Sequence, residues 1–116
     1  MRYLLLIYTN ETEDQQATPA EQEEEYQQYS AFGREAKDNI LGSEALMPTT
    51  SATTVRVREG QTMIVDGPFA ETKEQLGGYY LVQGADLDEA IALAAKIPGA
   101  RHGAIEVRPI MEFPEA

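Results

Sequence analysis

The first strand and the first helix start are visible in the pattern of apolar and polar positions along the chain. Residues 2–8 form a continuous apolar run, which is typical of a central strand covered on both faces. The polar stretch over residues 10–18 predicts a loop. Thr18, Pro19 and Glu21 then supply an N-cap, a first-turn proline and a capping-box glutamate, and together they predict that a helix begins here.

One apolar stripe runs along this first helix. Charged residues occupy the opposite face, with acidic ones in the first turns and basic ones later, as the helix dipole favours. Gly42 is expected to end the helix, and residues 43–48 are ambiguous. The predicted buried positions recur at steps of three and four residues: Tyr26, Tyr29, Gly33, Ala36 and Ile40.

The rest of the chain predicts a hairpin, a strand, a second helix and a last strand. Glu59-Gly60 is a tight-turn signal between two alternating segments, and Asp86 begins a capping pattern. The predicted strands cover residues 52–58, 62–65, 79–83 and 104–108. The predicted stripe of the second helix is Leu87, Ala90, Ile91 and Ala94, with Pro98-Gly99 as its stop.

This order of elements favours a ferredoxin-like α+β protomer of the βαββαβ type with an extra strand, a mainly antiparallel sheet and a single domain over residues 1–116. Two helices cover only one face of such a sheet. The segments 3–7 and 79–82 nevertheless present large apolar side chains to both faces. A second copy of the same sheet is the simplest cover for the open face, so the sequence predicts a homodimer.

Composition and charge then exclude several functional classes. Nine Lys and Arg stand against twenty Asp and Glu, a net charge of −11 that opposes binding to nucleic acid or to an anionic membrane. The hydrophobic content of 42% is that of a globular protein, so the acidic surplus is interpreted as a surface property that favours solubility. The chain has no cysteine and one histidine, and no cofactor or metal is expected.

The apolar segment over residues 3–8 is too short for the core of a signal peptide, and acidic and polar residues follow it. No run approaches the length of a membrane span. A cytoplasmic location is therefore expected.

The densest group of unusual residues lies over positions 66–80. A Gly67-Pro68 turn at a strand end would aim Asp66 beyond the sheet edge, and Phe69 would anchor the loop by packing inward. Gly77-Gly78 would permit close backbone approach to a ligand or to a neighbouring strand. A structural interpretation is favoured over a site: a turn capped by Asp66, a solvated charged loop and glycines at a bulge.

A cleft built from this fold would combine residues from the first helix, the loop and the strands. Asp66 is the candidate acid or base, and Arg108 is a candidate partner for it or a clamp for an anionic ligand. The tyrosines have an alternative role in core packing. The candidate ligand-binding residues are Tyr26, Tyr29, Phe69, Lys73, Tyr79 and Arg108.

Several of these segments resemble the YCII-related proteins, specifically the subgroup with a DGPF motif. The resemblance rests on DGPF at residues 66–69, ETKE at 71–74, GGYY at 77–80 and EVRP at 106–109. It implies a dimeric α/β barrel of ferredoxin-like protomers, and it implies no single established reaction. Some members of the subgroup accompany extracytoplasmic-function sigma factors.

Some relatives in the wider superfamily use a histidine–aspartate pair for ring dehalogenation or related proton transfer, with the histidine on the first helix. Tyr26 is close to that place in this sequence, and the predicted helix contains no histidine. The one histidine, His102, lies in the turn before the last strand, where a solvated surface role is expected. The catalytic pair therefore does not carry over.

Three functions follow from the sequence. The first is a homodimeric small-molecule-binding or regulatory accessory domain without catalysis. The second is a cofactor-independent enzyme, of isomerase or lyase type, that acts by proton transfer on a small anionic or aromatic substrate beside Asp66. The third is an interaction partner of an extracytoplasmic-function sigma factor, a contact between proteins that the acidic charge permits.

Overall fold

The computed structural model describes residues 1–114, which form a four-stranded sheet, a separate two-stranded hairpin and three α-helices. The helices are α1 (Glu11–Gln15), α2 (Pro19–Glu35) and α3 (Leu87–Lys96), with 3-10 turns at Thr49–Ser51 and Pro98–Arg101. The strands are β1 (Arg2–Thr9), β2 (Ile40–Ala45), β3 (Thr53–Arg58), β4 (Gln61–Asp66), β5 (Gln75–Gln83) and β6 (Ala104–Pro109).

The main sheet has the order β2-β5-β1-β6, and every neighbouring pair in it is antiparallel. With α2 after β1 and α3 after β5, this is the ferredoxin-like α+β fold that the sequence predicts. The predicted hairpin β3-β4 forms a sheet of its own between β2 and β5 in the chain. The fourth strand of the main sheet is β2, which lies where the sequence predicts the end of a helix at Gly42 and an ambiguous segment from residue 43 onward.

The core lies on one face of the main sheet. Along β1 the side chains of Tyr3, Leu5 and Ile7 are buried, whereas Leu4 and Leu6 between them are partly exposed on the other face. This is the alternation of a strand covered by helices on one side only. The buried residues packed around β1 are Phe32, Ala36, Val82, Ala90, Leu93, Ala94 and Ile97.

Both main helices begin where the sequence predicts. The Thr18 hydroxyl accepts from the Glu21 backbone N–H at 3.2 Å, and the Glu21 carboxylate accepts from the Thr18 N–H at 3.0 Å, which completes a capping box. Asp86 caps α3 by accepting from the Glu89 N–H at 2.9 Å. These starts are confirmed because the residues that fix them are adjacent in sequence.

Two predicted boundaries are wrong. A short helix, α1, forms inside the predicted loop, where Asn10 accepts from the Glu13 N–H at 3.1 Å as its N-cap. The helix α2 ends at Glu35, and Gly42 lies within strand β2. Asn39 joins the segment before β2 to β5 by two hydrogen bonds. Its side-chain amide donates to the Gln83 carbonyl at 2.9 Å, and its backbone carbonyl accepts from the Gln83 N–H at 2.8 Å.

The helical stripes are also partly wrong. On α2 the buried side chain is Phe32, which the predicted stripe omitted, while Tyr26 is 65% exposed. On α3 Leu93 is buried, and the predicted stripe residues Leu87 and Ile91 are about half exposed. Burial depends on how each helix is rotated over the sheet, and that rotation depends on residues distant in sequence.

The hairpin β3-β4 leaves apolar side chains in solvent. Its turn has positive φ at Glu59 (52°) and Gly60 (77°), the type I′ geometry that matches the twist of two paired strands. Val55 lies directly across from Ile64 in the ladder, and Ile64 is 67% exposed. A two-stranded ribbon of this kind is marginally stable by itself in water.

We expect Gly103→Ala to destabilise the protein by about 2–3 kcal/mol. A Cβ at Gly103 would overlap the Tyr8 carbonyl oxygen at the start of the β1–β6 pairing, and a backbone atom of a central strand has little freedom to move. Gly33→Ala is the matched control because a Cβ there meets nothing within 4 Å. Gly33 lies in the last turn of α2, where the substitution should stabilise by at most about 0.5–1 kcal/mol, the range for a helix interior.

Guanidinium unfolding followed by circular dichroism measures both changes in the free energy of unfolding. Equal effects of Gly103→Ala and Gly33→Ala would contradict the steric argument.

Candidate functional site

A cavity of about 650 Å³ opens between the first half of α2 and the main sheet. Its size is within the usual range for small-molecule sites, about 300–1,000 Å³. The sheet side is formed by the end of β1, the second half of β2 and the start of β5, and α1 closes one side. The sheet residues that line it are Ile7, Thr9, Ser43, Glu44, Ala45, Gly77, Gly78, Tyr79 and Tyr80.

The helix α2 contributes four side chains from one face: Gln22, Glu25, Tyr26 and Tyr29. They are spaced at three- and four-residue intervals and therefore lie one above another along the helix. Opposite them, Tyr80 on β5 is held by an edge-to-face contact with Phe32, with ring centroids 5.0 Å apart. The core thus ends at Phe32, and the cavity begins one turn nearer the helix N-terminus.

Among the side chains of the site, Tyr29 has the most strongly shifted pKa. Burial, followed by the negative charge of Glu25, raises the pKa of Tyr29 from 10.0 to about 12, against an opposing hydrogen bond from the Gly99 backbone. Burial also raises the pKa of Tyr80. Both phenols are therefore neutral at physiological pH, where they donate and accept hydrogen bonds and do not serve as bases.

Carboxylates form the polar side of the cavity. Glu11 accepts from the Thr49 backbone N–H at 2.8 Å and from the Thr49 hydroxyl at 2.7 Å, which ties α1 to the segment after β2. Asp14 accepts from the Thr9 hydroxyl at 2.6 Å. All these donors are uncharged groups. Within residues 1–114, no lysine or arginine lines the cavity.

His102 lies beside two of the acidic residues that line the cavity, Asp14 and Glu25. Its Nε2 atom is 4.0 Å from Asp14 Oδ1 and 4.0 Å from Glu25 Oε1, and its side chain is 47% exposed. The sequence predicts a solvated turn position for His102, and no sequence pattern connects this histidine to either acid. The three residues belong to α1, α2 and the turn before β6, and only the packing of these elements brings them together.

The structure brings two of the seven predicted site residues into the cavity by their side chains, Tyr26 and Tyr29. Tyr79 also lines it, but Tyr79 pairs with Leu6 across the β1–β5 ladder while the adjacent Tyr80 pairs with the buried Leu5. Strand alternation therefore directs the Tyr79 side chain to the opposite face of the sheet.

The other four predicted residues lie outside the cavity lining described over residues 1–114. Asp66 is exposed at the end of β4, and Lys73 is exposed in the following connection. The expectation that Phe69 packs inward is wrong, because its side chain is 78% exposed. Arg108 donates to Glu106 on the same strand and not to Asp66.

The glycines before Tyr79 approach a neighbouring strand, as one of the two sequence interpretations held. A Cβ at Gly78 would come within 2.9 Å of the Glu44 carbonyl oxygen on β2. The β1–β5 register also shifts between Ile7 and Tyr8, which leaves Gly77 at a bulge. Close strand packing therefore accounts for Gly78, whereas Gly77 lies at the bulge without a close neighbour.

Comparison with known proteins assigns this chain to a family. The YCII-related domain model matches residues 1–114. The chain belongs to the YCII-related family. It is also 42% identical over 114 residues to an uncharacterized protein of Rhizobium meliloti (strain 1021), a match that covers 95% of this chain and 92% of the relative.

Two further observations concern residues 1–114 of this YCII-related chain. None of its helices there is long and apolar enough to cross a membrane. Within the same residues, no three His, Cys, Asp or Glu side chains are grouped in a way that could hold a metal ion.

We expect the stability of the wild-type protein to fall more steeply than that of Tyr29→Phe between pH 10 and 12. The folded state holds the Tyr29 proton up to about pH 12, whereas the unfolded chain releases it near pH 10. The stabilisation is therefore complete below pH 10 and is lost as the pH rises. After allowance for partial exposure, the difference should reach about 1–2 kcal/mol.

Urea unfolding at pH 9 and at pH 11.5 measures this difference, because the other tyrosines are common to both proteins. Parallel losses of stability in the two proteins would show that Tyr29 is not the perturbed phenol.

Proposed function

We propose that this YCII-related chain is a small-molecule-binding domain that works as a homodimer, with the ligand held between α2 and the main sheet. The observation that carries the proposal is the cavity beside Tyr29. Two residues of α2 are buried, and both lie at the C-terminal end of the helix: Phe32 and the C-cap residue Ala36. The first half of α2 therefore stands away from the sheet over polar and aromatic side chains rather than over core residues.

The lining of this open cavity has the composition of a ligand site. Apolar side chains such as Ile7, Leu46 and Pro48 supply area for contact, and a few tyrosines and carboxylates supply directional polar contacts. Small-molecule sites in general combine an apolar lining with a small number of placed polar groups.

The dimer is supported by the amount of surface that one chain exposes. A folded monomer of 12.8 kDa is expected to expose roughly 6,300 Å². This chain exposes 8410 Å², about 2,000 Å² more, and its radius of gyration is 16.4 Å where roughly 13 Å is typical. An excess of this size per protomer matches the area that obligate homodimers bury.

The location of the excess also fits a second copy. Leu4, Leu6 and Leu81 form an apolar strip on the face of the sheet that the helices leave open. The hairpin adds Val55 and Ile64, which are exposed on one of its faces. A second copy brings the same two surfaces, so a two-fold arrangement would cover both at once.

We expect light scattering at micromolar concentration to give twice the 12.8 kDa chain mass. Leu81→Lys in the open face and Ile64→Lys in the hairpin should each lower this mass toward one chain, because each places a charge in an apolar interface. Leu87→Lys is the control, since Leu87 is half exposed on α3, away from both surfaces. A wild-type monomer in dilute buffer would refute the dimer.

We expect a chemically mixed fragment library, screened by protein-observed NMR, to yield ligands that shift the resonances of α2 and β5. Ala45→Phe should abolish their binding because Ala45 lines the cavity and a phenyl ring would fill it. Ala31→Phe is the control, since Ala31 is exposed on α2 and outside the lining.

Ligands that bind Ala45→Phe as tightly as the wild-type protein would show that the cavity is not the site. A library with no binder at all would refute the proposed function.

The two other functions stay predictions. Proton transfer beside Asp66 would need a second copy to bring Asp66 to a cavity, since the residue lies at the exposed end of β4. The contact with an extracytoplasmic-function sigma factor rests on the resemblance to the DGPF subgroup. The binding function needs neither step and is therefore preferred.

A further inference from the structure

The charge of the cavity is one-sided. Glu11, Asp14 and Glu25 border it, and within residues 1–114 the lining contains no lysine or arginine. The hydrogen bonds that Glu11 and Asp14 accept come from a backbone amide and from hydroxyl groups, which orient the carboxylates without neutralising them. An anionic ligand would meet repulsion from all three, whereas a cation would be attracted.

Aromatic side chains stand beside these carboxylates. Tyr26 and Tyr29 border the cavity on the helix side, and Tyr80 borders it on the sheet side. The electron-rich faces of tyrosine rings attract organic cations, and the neutral phenol of Tyr29 adds a hydrogen-bond acceptor. Tyrosines combined with carboxylates are the lining that recognises ammonium groups.

The remaining contact surface is apolar. Ile7, Ala45, Leu46 and Pro48 contribute it from the strands and the segment after β2. A strongly hydrated inorganic cation would gain nothing from these groups. An organic amine would use them for its hydrocarbon part while its ammonium group meets the acids.

We infer that the cavity binds a small organic amine, with the ammonium group near Asp14 and Glu25 and the hydrocarbon part against Ile7 and Leu46. This inference rests on the proposed function, since it names the ligand class of the same cavity. It differs from the anionic substrate that is one of the sequence predictions. That expectation relied on Arg108, and the ladder places Arg108 across from Leu4, on the face of the sheet away from the cavity.

Three probes of matched shape test the inference: 2-phenylethylamine, 2-phenylethanol and phenylacetate. They share a phenyl ring and differ in carrying a positive, a neutral or a negative group. Protein-observed NMR titration at low ionic strength should give the amine at least about tenfold tighter binding than the alcohol, and the weakest binding for phenylacetate. Added salt should reduce the preference for the amine.

Glu25→Gln should weaken amine binding by about tenfold and leave alcohol binding unchanged, because it removes the charge and keeps the shape. Glu24→Gln is the matched control, since Glu24 is the adjacent residue on α2 and lies outside the cavity lining. His102→Lys is a second variant that leaves the acids intact. A permanent cation beside Asp14 and Glu25 should weaken the amine selectively as well.

The outcomes separate this inference from the proposed function. Phenylacetate binding as tightly as the amine, or amine binding unaffected by both Glu25→Gln and His102→Lys, would overturn the amine inference and leave a small-molecule site in place. Failure of all three probes, while other fragments bind the same cavity, would also overturn it. Failure of every fragment in the library would remove the proposed function and the inference together.

Discussion

Two helices can cover one face of a four-stranded sheet, and the organisation of this chain follows from how that cover is distributed. Tyr3 and Leu5 on β1 are sealed beneath α2 and α3, and the helix side of the sheet becomes the core. The cover is incomplete in two places. Beneath the first half of α2 a cavity remains between helix and sheet. On the opposite face of the sheet no helix covers Leu4 and Leu6, which are partly exposed.

The features that could be predicted from sequence are those fixed by neighbouring residues. Thr18 with Glu21 determines the start of α2, and Glu59-Gly60 determines the hairpin turn, because each needs contacts over only a few positions. Strand β2 could not be predicted in this way, because the hydrogen bonds that join its start to the sheet link Asn39 to Gln83, which is distant in sequence. The candidate site likewise has residues that could be predicted from sequence and one that could not. Tyr26 and Tyr29 are adjacent on one helix face, whereas His102 joins its acids only through the tertiary fold.

The segment after β4 shows how a conspicuous motif can mark a backbone requirement. Gly67 has a φ of 99°, which favours glycine, and its N–H donates to the Ala52 carbonyl at 2.7 Å. Its own carbonyl accepts from the Thr54 hydroxyl at 2.8 Å. These bonds close the base of the hairpin, so the turn is explained without a ligand. Asp66 is a candidate site residue in the sequence because a single sequence does not distinguish a glycine required by a turn from a glycine required beside a ligand.

The acidic surplus has two distinct locations in this fold. On α2, Glu23 and Glu24 face solvent and accept from the side chains of Gln27 and Gln28 one turn later. Glu25 belongs to the same acidic run, yet it is turned toward Tyr29 and His102 and contributes to the raised pKa of Tyr29. A net charge counts these residues alike. Only the rotation of α2 distinguishes a solvated carboxylate from one that sets the electrostatic character of the cavity.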